Sequence, residues 1–332
     1  MGLQHTDAPH ATDAYTRHIW ILIAVMAAST AVTFMLTGLR VDPLSRPLLL
    51  VPFSVLGATW WFYTSVRPDR RLQALAEGFT QVLLILLFGT LLSYAAAAVP
   101  FPFQDATLLS IDNALGIDRQ AYIGFFSRRP WLYNATMLAY FTLMPQFVLV
   151  PLVLFFKKQP HRLQQFTFAA GIGLSVTVAI SVFTPSITTV YLDLGLPVYT
   201  KIPEALYTPV PTLEALRSGT RYWVDLSAIE GLISFPSFHT VAALLFIWAL
   251  RTVALIRWIA LIINASLIAA APIVGSHYFI DLAGGAVVAL LAVMAAHWLS
   301  RRASSPRPAM DGILEGQAAG IPELAGYRRT RT

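Results

Sequence analysis

The chain has 332 residues, 56% hydrophobic and only 12% charged, with a net charge of +6 and a mean hydropathy of +0.63. A soluble globular chain carries about 25% charge, and one core of this length cannot hide so much apolar surface from water, so lipid is expected to solvate much of it. Cysteine is absent, which excludes a disulfide framework, thiolate metal ligation and a cysteine nucleophile.

About 20 apolar residues of helix cross a bilayer core. Eight charge-free runs meet that length: Ile19–Leu39, Pro47–Val66, Gly78–Val99, Pro130–Phe156, Leu163–Leu192, Gly231–Leu250, Trp258–Ser276 and Leu282–Ser300. The expected fold is an all-α polytopic transmembrane bundle of about eight spans, with six or seven as the alternative count. The first run follows Asp7 and Asp13 and is too long for the apolar part of a cleaved signal peptide, so it reads as a retained helix. The fifth run is too long for one span and is expected to emerge as loop near Pro185. In the sixth, Pro236 suits a first helical turn rather than a helix middle. The seventh and eighth are separated by a tight turn near Gly275.

Three segments flank or interrupt these runs. Residues 101–129 mix apolar and polar side chains and predict a helix lying on the membrane surface. Residues 186–230 form the longest polar excursion and carry Lys201, Arg217, Arg221 and Asp225; loops of such length are functional or disordered. The organisation is therefore a short N-terminal segment (1–18), a transmembrane domain (19–300, its core about 75–300) and a disordered basic tail (301–332).

With eight spans and an inner N-terminus, 15 of the 23 Lys and Arg fall on the inner side and 8 on the much longer outer segments. Basic residues favour cytoplasmic loops, so both termini are expected in the cytoplasm of a plasma (inner) membrane protein. The basic residues thus orient the chain on a membrane, and no nucleic-acid partner is indicated. The excursion at 186–230, the start of the sixth run and the turn near Gly275 then face outward.

Two motifs sit at that outer face. Ser234-Phe235-Pro236-Ser237-Phe238-His239-Thr240 opens the sixth helix, and Gly275-Ser276-His277-Tyr278-Phe279-Ile280-Asp281, followed by Leu282-Ala283-Gly284-Gly285, opens the eighth. Four residues apart on a helix, His277 and Asp281 share one face. A carboxylate there accepts from one imidazole nitrogen and leaves the other unprotonated and nucleophilic. His239 supplies a second imidazole at the same depth, and the helix N-terminus around Ser237 supplies free N–H groups and a positive dipole end for an anion. A His-x-x-x-Asp pair that merely pins two helices is the plainer reading, and the conjunction of both motifs argues against it, since ionisable groups in apolar helices are costly. His161 and His297 fall at the opposite, cytoplasmic edge and read as interfacial, and Asp225 and Glu230 read as loop-solvated. No Gly-rich phosphate loop or metal-ligand cluster is visible, so no cofactor or metal is expected.

The two motifs resemble the last two signature motifs of the type 2 phosphatidic acid phosphatase superfamily. They are closer to its inositol phosphorylceramide synthase branch, whose Pro-Ser-x-His and His-Tyr-x-x-Asp segments correspond to Pro236–His239 and His277–Asp281. The stretch Asp112-Asn113-Ala114-Leu115-Gly116-Ile117-Asp118, with Tyr140 and Gln146 beyond it, is similar to bacterial members, so the likeness covers roughly residues 105–300. It implies a six-helix phosphatase-type core in which His277 becomes phosphorylated, Asp281 orients and polarises it, and His239 protonates the leaving group and then activates the acceptor. It also implies membrane lipid substrates, a phosphate cradle around Ser237 and Phe238, and no obligatory protein partner.

The chain departs from the lipid phosphatases of that superfamily. It has no Lys-x6-Arg-Pro segment, Ala271 stands where they carry an arginine six residues before the nucleophile, and Phe238 replaces the glycine before the second histidine. A phosphomonoester carries nearly two negative charges and a phosphodiester one, so fewer cations favour a diester and head-group transfer between lipids. Arg221 and Lys201 are the loop cations expected to add charge. Lipid phosphate hydrolysis is the alternative activity. A transporter, which would place ionisable groups near the bilayer midplane, and an inert scaffold, which would need no triad, are the non-enzymatic readings.

Overall fold

A computed structural model describes residues 9–187 and 209–304. The chain runs α1 (Pro9–Thr37), β1 (Arg40–Val41), α2 (Pro47–Trp61, continued by a π-turn to Val66), α3 (Arg70–Ala98), α4 (Asp105–Ala114), α5 (Arg119–Ser127), α6 (Pro130–Phe141), α7 (Leu143–Phe156), α8 (Pro160–Ser181), α9 (Pro209–Arg217), β2 (Trp223–Val224), α10 (Phe238–Leu250), α11 (Ile256–Val274) and α12 (Phe279–Ser304). The two strands make one short parallel pairing, Arg40 with Trp223 and Val41 with Val224. The protein is thus the all-α, multi-pass membrane bundle that its composition predicts.

Among the described residues each apolar run contributes helix, but the runs are not equivalent. Among the described residues six helices are long and apolar enough to cross a membrane: 15–37, 47–66, 70–98, 160–181, 256–274 and 279–302. The Pro130–Phe156 run is broken at Thr142, where α6 and α7 meet at 60°, so it is one bent span at most. The Gly231–Leu250 run yields only the 13 residues of α10. Its helix starts after Pro236, not on it, because Ser237 is the residue with extended backbone (φ −67°, ψ 109°) whose side chain accepts from the Thr240 amide. Likewise Asp69 caps α3 and starts it eight residues before the uncharged run. α12 continues past Ser300 to Ser304, carrying Arg301 and Arg302 in its last turn, where cations suit the helix dipole. The rest of the tail lies outside the described residues. The mixed segment 101–129 holds two short helices, α4 and α5, rather than one.

The core sits between α7, α8, α10 and α12. Phe147, Phe166, Val241, Leu245, Phe246, Val288 and Ala292 are among its buried side chains. Aliphatic and aromatic residues packed here at crystal-like density fix the distance between α10 and α12, and so position what their upper ends carry. Gly284 and Gly285 bring that end of α12 unusually close. A Cβ on Gly285 would lie 2.5 Å from the Ser237 carbonyl oxygen, and one on Gly284 2.8 Å from the Phe235 ring.

Candidate active site

His277 lies in the turn between α11 and α12, two residues ahead of the helix on which its spacing to Asp281 places it. The turn is made by Ser276 in the left-handed region (φ 53°) and by the His277 amide, which donates to the Ala271 carbonyl. Asp281, in the first turn of α12, reaches back: one carboxylate oxygen accepts from the Tyr278 amide at 2.9 Å, from the His277 Nδ1 at 3.2 Å and from the Ser234 hydroxyl at 2.7 Å. The i to i+4 contact is therefore a capping geometry and not a helical stacking. Both residues are buried, His277 to 3% and Asp281 to 0% exposure, where a charge-assisted hydrogen bond is strong.

With its Nδ1 proton held by Asp281, His277 turns a lone pair outward at Nε2, and that nitrogen lies 3.3 Å from the Ser237 hydroxyl. Ser237 thus bridges the two motifs. Its Oγ caps α10 at the Thr240 amide, and its N–H donates to the Asp281 carbonyl at 3.0 Å. The Ser237 N–H is consumed by this bond, so the first-turn amides that α10 itself does not use are those of Phe238 and His239. The Phe238 side chain leaves the site and stacks on Phe147 in the core, ring centroids 6.2 Å apart. His239 enters it: its imidazole is 5.6 Å from that of His277 and stacks on Tyr140 at 4.3 Å and 17°. Tyr140 in turn brings its hydroxyl against Gly275, where a Cβ would stand 2.7 Å from it, so the turn has glycine at the point of contact.

A second layer, from the surface helices, holds the turn from behind. Asp112 is fully buried; its two oxygens accept from the Phe279 and Ile280 amides at 2.9 Å each, capping α12 from another element. Arg119, 6% exposed, pairs with Asp112 at 3.4 Å, donates to the His277 carbonyl at 3.4 Å and lies over the Tyr278 ring. Asp105 accepts from the Tyr278 hydroxyl at 3.1 Å and also from Ser186 Oγ and the Ile187 amide, at the root of the long excursion. Burial, and after it the Asp105 carboxylate, raises the Tyr278 hydroxyl pKa well above its usual range, so the hydroxyl remains a donor.

Among the residues singled out from sequence, the structure brings His239, His277, Asp281 and Ser237 together and leaves others apart. Arg221 is engaged with Glu230 at 3.6 Å and with the Thr212 hydroxyl, neither of which belongs to the histidine cluster. Lys201 lies outside the described residues. His161 and His297 are at the far end of the bundle, on Ser300 Oγ and the Val293 carbonyl. Glu230 is partly buried and partnered instead of loop-solvated, while Asp225 is half-buried and its carboxyl is held below the usual range by the Ser227 hydroxyl and amide. The sequence reading missed Arg119, Asp105 and Ser234 as parts of the site. Nothing in spacing flags Asp105 or Arg119, which reach the turn through the tertiary placement of α4 and α5, whereas Ser234 sits in the motif itself. Among the described residues, no group of three His, Asp or Glu is arranged to hold a metal ion.

The helical bundle presents two imidazoles and a buried carboxylate where the N-termini of α10 and α12 meet. The PAP2 superfamily profile matches residues 106–295, and the chain belongs to that superfamily. The match begins at α4 and ends in α12, so it contains both motifs and the surface helices behind them, and it supports a phosphatase- or phosphotransferase-type activity on lipids. No curated protein and no solved structure matches the chain.

Proposed function

We propose that the protein is a membrane phosphotransferase that moves a phospho-head group, of the inositol-phosphate kind, from a lipid phosphodiester to a lipid alcohol, as in the inositol phosphorylceramide synthase-like branch. The observation that carries the reading is the relay Asp281–His277, with Nε2 directed at the N-terminus of α10 and the second imidazole 5.6 Å away. In the first half-reaction His277 Nε2 attacks phosphorus, the bond to the leaving alkoxide breaks, and His239 gives that oxygen a proton. In the second, His239 takes the proton of the acceptor hydroxyl, whose oxygen displaces His277. Division of one hard displacement into two through a covalent intermediate is the general advantage of nucleophilic catalysis. The Ser237 hydroxyl keeps Nε2 unprotonated before substrate arrives and then turns to the phosphate, whose oxygens meet the first-turn amides and the dipole of α10.

The diester reading rests on charge. Arg119 is the buried cation at the turn, and it is already paired with Asp112. A single anionic diester asks less of such a site than a dianionic monoester. Lipid phosphate hydrolysis is the second reading, because water in place of the alcohol completes the same chemistry. With α10 counted as a crossing, the distribution of Lys and Arg supports a site on the extracytoplasmic side and both termini in the cytoplasm. Purified protein in detergent, given a phospholipid donor with a lipid alcohol, is expected to form a new phosphodiester lipid. Release of inorganic phosphate from a lipid monophosphate, with no transfer product, would replace the first reading by the second. Turnover is expected to survive EDTA, since nucleophile, proton donor and anion ligands all come from the chain; activity lost in EDTA and restored by Mg²⁺ would contradict this.

A further inference from the structure

The end of the bundle opposite His239 carries a different set of groups. Arg251, just past the C-terminus of α10, donates to the Trp248 carbonyl at 2.6 Å. Arg162, in the first turn of α8, donates to the same carbonyl at 3.4 Å and to Thr252 Oγ1 at 2.7 Å. Two guanidinium groups on one oxygen stand close enough to repel each other, and among the described residues no carboxylate pairs with either. The carbonyls at the end of a helix explain one cation there. They do not explain two without a carboxylate, and the Arg162 Nε is buried with no partner.

The surroundings say what kind of anion the pair faces. Arg251 stacks over Trp248 at 4.9 Å, Arg257 over Trp258 at 5.1 Å and Arg302 over Trp298 at 3.9 Å. Trp258 and Trp298 are each 55% exposed on the outside of the bundle. Indole rings beside guanidinia at helix ends mark the head-group level of a bilayer, where the ring is half in hydrocarbon and the cation in the phosphate layer. A soluble anion would gain nothing from these rings, while a lipid places its phosphate and its upper acyl chain against both kinds of group.

We infer that Arg162 and Arg251, at the junction of α8, α10 and α12, form a binding site for the phosphate of an anionic membrane phospholipid, separate from the histidine site. About 18 Å of helix rise along α10 separates Arg251 from His239, so one lipid cannot serve both. The site needs no chemistry: the head-group phosphate accepts from the two guanidinia in the charge-assisted geometry that arginine favours, and basic pockets between transmembrane helices are where such lipids lodge.

The test uses the full chain in a zwitterionic detergent, with phosphatidylglycerol and phosphatidylcholine of the same acyl chains added together and retained lipid counted by native mass spectrometry. The wild type is expected to hold phosphatidylglycerol over phosphatidylcholine by about 25-fold, and R162Q/R251Q, losing about fivefold for each charge removed, to hold the two lipids about equally. Glutamine keeps an N–H donor for the Trp248 carbonyl, so α10 stays capped, and R40Q/R46Q at the other end should leave the preference intact. No preference in the wild type, or an undiminished one in R162Q/R251Q, would overturn the site. Displacement of the retained lipid by millimolar inorganic phosphate would assign the pair to a soluble anion and overturn the lipid assignment.

Discussion

Gly285 in α12 and Gly57 in α2 both stand inside apolar helices, and their surroundings have little in common. A methyl group on Gly285 would collide with the Ser237 carbonyl and with Thr240, whereas nothing lies within 4 Å of the same position on Gly57. α2 as a whole has no buried residue. Apolar composition suffices to keep α2 in lipid, and any apolar helix former would serve there. Where α12 meets α10, composition is not enough: polar groups must be desolvated and held, so backbone approaches, caps and hydrogen bonds are specified residue by residue.

That contrast can be tested by substitutions of graded effect. His277→Ala, inside the specified region, is expected to reduce transfer to background, and residual transfer above it would show that another group attacks phosphorus. Asp281→Asn should leave the protein folded by size exclusion yet slow it by about 10⁴-fold, the cost of the comparable change in serine proteases, because an amide presents the wrong tautomer and cannot stabilise imidazolium. Near-normal turnover would mean that Asp281 only caps α12. Asp112→Asn leaves Arg119 buried without its charge partner and weakens the α12 cap, so a loss of about 3 kcal/mol is expected, read as a lower melting temperature in detergent. An unchanged melting temperature would remove the surface helices from the account. Gly285→Ala should lower the melting temperature by less, and lower turnover as Ser237 shifts. Gly57→Ala should change neither; a measurable loss there would show that α2 packs against something its surface does not reveal.

Much of this was legible in the sequence. Charge-free runs located the helices because hydrocarbon admits little else, and the two histidine motifs located one end of the site because ionisable groups at helix openings are rare in such a chain. The break at Thr142 and the shortness of α10 were not legible, since hydropathy does not report how a run bends or where a cap starts a helix. Nor were Asp105 and Arg119: a carboxylate and a guanidinium in a mixed surface segment look like solvated charges until α4 and α5 fold against the turn. Arg221 shows the converse. Its charge in the long excursion suggested a phosphate ligand, and the structure engages it with Glu230 and Thr212.

If His277 carries the phosphoryl group between two lipids, the phosphorylated protein can be trapped directly. Protein is incubated with a donor radiolabelled in the transferred phosphate, without acceptor, then quenched and tested for label stable to base and labile to acid. Such a label is expected on the wild type, none on His277→Ala, and a label that persists on His239→Ala after acceptor is added, because the second displacement has lost its base. Label at the wild-type level on His277→Ala, or label stable to acid and lost in base as a serine ester would be, would contradict it.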